Sequence, residues 1–277
     1  MGQPIEIDVM APAKVVDAYA QFGYQVLLSN PDCLPTRLAK DGRLLEVSYA
    51  ISLTDILVFN WIAGSAPWRR ALVIGNAFGF STFVIAALCP GCFVDVIDAE
   101  VEGRENKVGS DLTRQIAKKF FPGVQLTKGF SPQDLPKACR FDRYDFIFID
   151  GMHTDGQLIK DFEAIRAMRS NNSVVYCHDV GMARMNRAWS HIKTHLVDRD
   201  DGSFDLHFSN FGCTVVVKGY DELRRFLAQT CSSLGDYYFY FGAKHTGLRS
   251  AMRMVWRTLR YSTRVGPAIS KLVQAIG

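Results

Sequence analysis

The sequence predicts an α/β fold: a doubly wound, mostly parallel seven-stranded sheet with a closing antiparallel hairpin. Three observations predict it. Between Arg70 and Lys218, five short apolar runs alternate with segments of helical length. The runs are continuous rather than alternating, as expected of strands buried on both faces. After the fifth run the pattern changes to two β-rich runs in close succession, which read as a hairpin.

The first 69 residues precede the first run and hold helical patterns at about 13–23 and 52–64. The second opens on Ser52-x-x-Asp55, which resembles a capping box. No Pro/Gly-rich linker follows, so 1–69 reads as an N-terminal extension of the core at 70–219. The five runs are ALVIG (71–75), FVDVID (93–98), VQLTKG (124–129), YDFIFID (144–150) and SVVYCHD (173–179), each closed by Gly or Asp. Helical segments fall at 81–89, 102–120, 132–139 and 155–169, long enough for right-handed crossovers. A helix at about 183–196 leads to FDLHFSNF (204–211) and CTVVVKG (213–219), joined through Phe211-Gly212. The acidic turn 198–202 before them reads as a solvated loop.

Composition narrows the class. The 277 residues are 48% hydrophobic and 22% charged, which suits a globular chain and excludes a disordered one. The longest uncharged stretch, Ala71 to Val94, is broken by Gly75-Asn76, Gly79, Ser81-Thr82 and Pro90-Gly91, so no continuous spanning helix is expected. The N-terminus lacks an apolar h-region, and Gly2 lacks the Ser or Thr of a myristoylation signal, so a cytoplasmic location is expected. The seven cysteines are odd in number, and Cys89-Pro-Gly-Cys92 has no second pair to complete a zinc site; reduced thiols flanking a turn are expected.

The net charge of +4 is unevenly spread. From Tyr237 to Gly277 there are seven basic residues and no Asp or Glu, against 25 basic and 28 acidic residues in the remainder. Within this basic tail (220–277), Leu248, Met252, Val255 and Leu259 recur at helical spacing beside a stripe of arginines. Packing on the chain's own domain or on a second subunit in a homo-oligomer is the expected role. An anionic membrane or acidic partner is the alternative. No nucleic acid is expected as a partner.

The turn Val73-Ile-Gly-Asn-Ala-Phe-Gly-Phe-Ser-Thr82 joins the first strand to its helix. Gly75 permits a tight turn, Gly79 permits close approach of backbone to a ligand, and Ser81 can cap the helix. Its free N–H groups, Asn76 among them, would favour an anion. The turn is not G-x-G-x-x-G, which speaks against a nicotinamide enzyme. The second strand ends in Asp98-Ala-Glu100, about twenty residues on, where an acid accepts from ribose hydroxyls; Asp98 is the first choice and Glu100 the second. After the third strand, Phe130 is placed to stack on a base and Ser131 to bond it.

These residues resemble class I S-adenosylmethionine-dependent methyltransferases over about 70–219. The motifs I-G-x-x-x-G-x-S-T, F-I-D-G-x-H and the H-D after the fifth strand are similar to small-molecule O-methyltransferases of the catechol type and of the metal-dependent sugar and antibiotic type. The resemblance implies S-adenosylmethionine as cofactor and a small hydroxylated molecule as substrate. Where the family often has an acid two residues before the first glycine, this chain has Val73.

A second constellation lies at the ends of the fourth and fifth strands: Asp150, His153, His178 and Asp179. Adjacent strand ends lie about 4.8 Å apart, and two carboxylates there can hold one divalent cation, Mg2+ or Mn2+. A cation lowers the pKa of a bound hydroxyl, and His153 can take its proton. The resemblance implies Asp150, His178 and Asp179 as metal ligands, with His153 and Asp150 as the catalytic pair. Relatives favour acid or amide where His178 stands, and imidazole suits softer metals than Mg2+. A non-catalytic protein of the same fold, binding an anionic partner through its tail, is the competing expectation.

Overall fold

The computed structural model describes residues 10–28, 36–46, 48–101, 103–181, 185–206 and 212–231. The expected tail helix, Cys33 and the Phe211 end of the hairpin turn lie outside the described residues.

The expected sheet is present. After helix α1 (Met10–Ala20), strands β1 (Tyr24–Leu27), β2 (Arg37–Lys40) and β3 (Arg43–Leu44), and helix α2 (Leu53–Ser65), the core opens with β4 (Arg70–Ile74). It continues through α3 (Phe80–Leu88), β5 (Phe93–Asp98), α4 (Gly103–Phe120), β6 (Val124–Lys128), α5 (Leu135–Ala138) and β7 (Tyr144–Ile149). Helix α6 (Asp155–Arg166), β8 (Arg169–Cys177), α7 (Asn186–His195), β9 (Gly202–Leu206) and β10 (Cys213–Lys218) complete it, and 221–231 is helical. The seven strands run in the order β6-β5-β4-β7-β8-β10-β9. Strands β4 to β8 pair in parallel, whereas β10 runs antiparallel to β8 and β9.

The alternation of strand side chains explains the two-faced burial. Val73, Val96, Phe146, Phe148, Tyr176 and Val215 face one core, filled from α1, α2, α3 and α4. Leu72, Ile74, Ile147, Ile149, Val175 and Val216 face the other, filled from α5, α6 and α7. The N-terminal extension belongs to the first core. Phe59 of α2 meets Phe146, Phe148 and Tyr176 edge-on at 4.8–5.5 Å.

Several sequence expectations need correction. Residues 24–44 form a three-stranded antiparallel sheet, β1-β2-β3, that was not anticipated. Its strands have four, four and two residues and mix polar with apolar side chains, so no period of two stands out. Strand β8 starts at Arg169, not 173, and α6 stops at Arg166. The polar run Arg169-Ser-Asn-Asn172 hid it, because Arg169 is buried in a 2.7 Å ion pair with Asp201, a partner 32 residues away. The 198–202 turn is therefore not simply solvated. Strand β9 starts at Gly202, and α5 is a single turn carrying Pro136 near its start.

Cys89 and Cys92 are buried free thiols, and burial pushes them up to about 11 and about 12. Among the described residues, no helix is long and apolar enough to cross a membrane.

Candidate active site

The chain builds β4, β5 and β6 to one side and β7, β8 and the hairpin to the other. The C-terminal ends of β4 and β7 thus flank the point where strand order reverses, the usual place for a ligand crevice. A backbone bond ties these ends together, Asp150 N–H to the Ile74 carbonyl at 2.8 Å, while Gly75 N–H bonds the Ile97 carbonyl of β5 at 2.9 Å. Gly75 has φ +96°, and a Cβ there would stand 2.1 Å from the Asp150 carbonyl oxygen. Only glycine lets these ends approach.

Asp98 fastens the glycine turn. Its carboxylate accepts from the backbone N–H of Asn76 at 2.7 Å, Ala77 at 3.3 Å and Glu100 at 2.7 Å. A carboxylate offers about four acceptor positions, so Asp98, half-buried, keeps capacity for one further donor. The Asn76 amide donates to Thr113 Oγ1 at 3.1 Å, buckling the turn to α4. Tyr49, Asn76, Phe78, Ser81 and Asp150 line the resulting cleft.

Other expected cofactor residues have local duties. Gly79 holds the N-cap position of α3 at φ +81° with no side-chain cap, so Ser81 lies within the first turn and does not cap it. A Cβ on Gly79 would meet Thr113 Oγ1 at 2.4 Å, so packing against α4 already requires this glycine. Glu100 is ion-paired with Arg114 at 2.8 Å and Lys128 at 3.4 Å. Phe130 follows β6 with an exposed ring. The Ser131 hydroxyl is already bonded to Asp161 at 2.6 Å.

The second constellation is brought together. His153 Nε2 lies 3.3 Å from Asp150 Oδ1 and 3.3 Å from Asp179 Oδ2. His178 Nδ1 lies 3.1 Å from Asp150 Oδ1 and 3.3 Å from Asp179 Oδ1. Ligand atoms of Asp150, His153 and Asp179 all fall within 4.8 Å of one another. Burial disfavours charge on Asp150, yet the imidazoles of His178 and His153 hold its carboxyl well below the usual carboxylate range. Burial likewise works against an imidazolium at His178, but Asp179, Asp150 and Asp55 override it and raise the group well above its ordinary value. His153 is raised in the same way, chiefly by Asp150.

Asp55 is the residue that sequence reasoning missed. It closes the capping box of α2 with Ser52 and sends the same carboxylate to His178 Nε2 at 3.3 Å and to the Tyr176 hydroxyl at 2.5 Å. Ser52-x-x-Asp55 was legible as a cap, but a contact reaching 123 positions along the chain leaves no local signal. Tyr49 of the extension was missed for the same reason.

Residues 72–180 match the profile of a family described as a methyltransferase domain. No curated protein matches the chain. Similar solved structures include the O-methyltransferase TomG from Streptomyces achromogenes, involved in tomaymycin synthesis and solved with S-adenosylmethionine. It is 16% identical with a TM-score of 0.52, over 78% of this chain and 92% of that one. An O-methyltransferase from Bacillus cereus, in complex with S-adenosylhomocysteine, is 15% identical with a TM-score of 0.51, over 76% and 91%. At these identities the likeness establishes the fold.

Proposed function

We propose that this chain, whose residues 72–180 match a methyltransferase-domain profile, transfers a methyl group from S-adenosylmethionine to a hydroxyl of a small molecule, with a divalent cation assisting. The observation that carries this reading is the convergence of Asp150, His153, His178 and Asp179 beside the glycine turn, at the reversal of strand order.

The cleft suits the cofactor. Asp98 keeps an acceptor position for a ribose hydroxyl, and Phe130 offers an exposed ring to a base. The cofactor-bound structures of similar fold support the same reading. The carboxylate pair suits a cation: Asp179 Oδ1 is buried without a hydrogen-bond partner, an arrangement that proteins seldom leave unexplained.

When bound, S-adenosylmethionine supplies a methyl group on a sulfonium, open to in-line attack. A hydroxyl must lose its proton to attack well. Asp150 and Asp179 would hold the cation and, with it, the acceptor oxygen. His153 Nε2 takes the proton, and the imidazolium so formed is stabilised by the two carboxylates 3.3 Å away.

The test is methyl transfer from labelled S-adenosylmethionine to a panel of catechols, flavonoids and sugars. Transfer should fall on chelation and return with Mn2+. Undiminished transfer by an Asp150→Ala/Asp179→Ala double variant under chelation would remove the cation from the reading.

A further inference from the structure

A groove opens at the end of the sheet away from the crevice, where β5 and β6 begin. Strand β5 runs from Phe93, on the groove, to Asp98, on the glycine turn, so at about 3.3 Å per residue the two lie about 17 Å apart. Its volume of about 470 Å³ falls in the range of small-molecule sites. Ala86, Ala87, Cys92 and Val124 are its buried floor. Helix α3 otherwise carries bulky Phe83, Val84, Ile85 and Leu88 here, and the two alanines among them leave the space open. Phe93, Phe120 and Phe121 supply apolar walls, and the Phe93 ring is 47% exposed. The Cys89-Pro-Gly-Cys92 turn, closed by Cys92 N–H to the Cys89 carbonyl at 3.0 Å, forms one lip.

The charge at its mouth is positive. Lys14 of α1 is the one charged residue among those that line the groove. It is exposed and makes no ion pair among the described residues. The Lys119 ammonium stands 5.0 Å from the Phe120 ring, and the Arg140 guanidinium 5.4 Å from the Phe93 ring. Buried Asp95 neutralises Arg140, whereas Lys119 donates to the uncharged Gln21 amide oxygen at 2.7 Å. An apolar surface rimmed by cations fits a ligand with an apolar body and one anionic end. The tail, with seven basic residues and no acid from Tyr237 to Gly277, has the wrong sign to fill it.

We propose that this groove binds a small apolar monocarboxylate, with its hydrocarbon part between the phenylalanines and the alanine floor and its carboxylate beside Lys14. The proposal goes beyond the methyltransferase reading and does not depend on it, because no residue lines both the groove and the crevice. Affinity comes from the hydrocarbon taken out of water. The exposed ammonium adds little affinity and selects the sign of the head group.

The full-length chain is titrated calorimetrically with decanoate and, separately, with decyltrimethylammonium, which has the same chain length and the opposite charge. Decanoate should bind once per chain and about fivefold more tightly than the cationic amphiphile. Ala87→Phe, which fills the floor, should weaken decanoate at least about tenfold, the equivalent of about two methylenes left in water. Lys14→Glu, at an exposed position, should weaken it about fivefold and remove the preference for the anion. Circular dichroism checks the fold of each variant, and if Ala87→Phe does not fold, Lys14→Glu decides. Saturating S-adenosylhomocysteine should leave decanoate affinity unchanged, and competition between the two would move the carboxylate to the crevice and overturn the proposal. No binding of decanoate, or equal affinity for the two amphiphiles, would also overturn it. Binding that appears only after residues 1–9 are removed would make that segment, with Glu6 and Asp8, the occupant instead. A dimer that Ala87→Phe dissociates, with no decanoate bound, would assign the groove to a second copy of the chain.

Discussion

Gly75→Ala is expected to destabilise the protein by about 3 kcal/mol or more, combining a strained backbone with an overpacked contact. Both causes are local. The residue sits at φ +96°, and its new Cβ would fall 2.1 Å from the Asp150 carbonyl oxygen. That oxygen belongs to backbone anchored to β4, so it cannot swing aside as a flexible side chain would. Relief requires the ends of β4 and β7 to part, which moves Asp150 away from the glycine turn. Gly42→Ala is the control: it also has positive φ, at +74°, but a Cβ there meets nothing within 4 Å. It should cost about 1–2 kcal/mol, the penalty for a left-handed residue alone. Urea unfolding of both variants checks this, and equal losses would mean that the close approach at Gly75 is not limiting.

His153→Ala is expected to lower the methyl-transfer rate by about 10²–10⁴-fold, the usual contribution of a positioned base. The side chain is half-buried on the loop after β7 and adds little packing, so the melting temperature should change by only a few degrees. Cofactor affinity should hold, because His153 does not line the glycine-turn cleft. The effect should therefore fall on turnover. A variant that keeps half the wild-type rate on the same acceptor would remove His153 from proton transfer.

The sheet was legible because its strands announce themselves. Runs such as Tyr144–Ile149, buried on both faces, are continuous in apolar residues, and a Gly or Asp marks where each meets the crevice. The same regularity marks Asp98, Asp150 and Asp179 as strand-end residues from the sequence alone. What stayed hidden depends on pairing between distant residues. Arg169 and Asp201 look like surface residues until each is seen to neutralise the other in the interior. Asp55 looks like an ordinary helix cap until α2 packs over β7 and β8 and brings it to His178. A serine near a helix start suggests a cap, but the left-handed Gly79 takes the N-cap position and leaves Ser81 inside the first turn. In each case the local pattern was real and tertiary contact gave it a second use.

The most direct test of the methyltransferase reading is calorimetric titration of the wild-type chain and of Asp98→Ala with S-adenosylhomocysteine. Asp98 accepts from the backbone N–H groups of Asn76 and Ala77 in the glycine turn and of Glu100, and keeps one acceptor position. Saturable binding of one molecule per wild-type chain, weakened at least about tenfold in the variant by loss of a charge-assisted hydrogen bond worth about 1.5–3 kcal/mol, is the expected result. Binding of NAD with no detectable binding of S-adenosylhomocysteine or S-adenosylmethionine would contradict it.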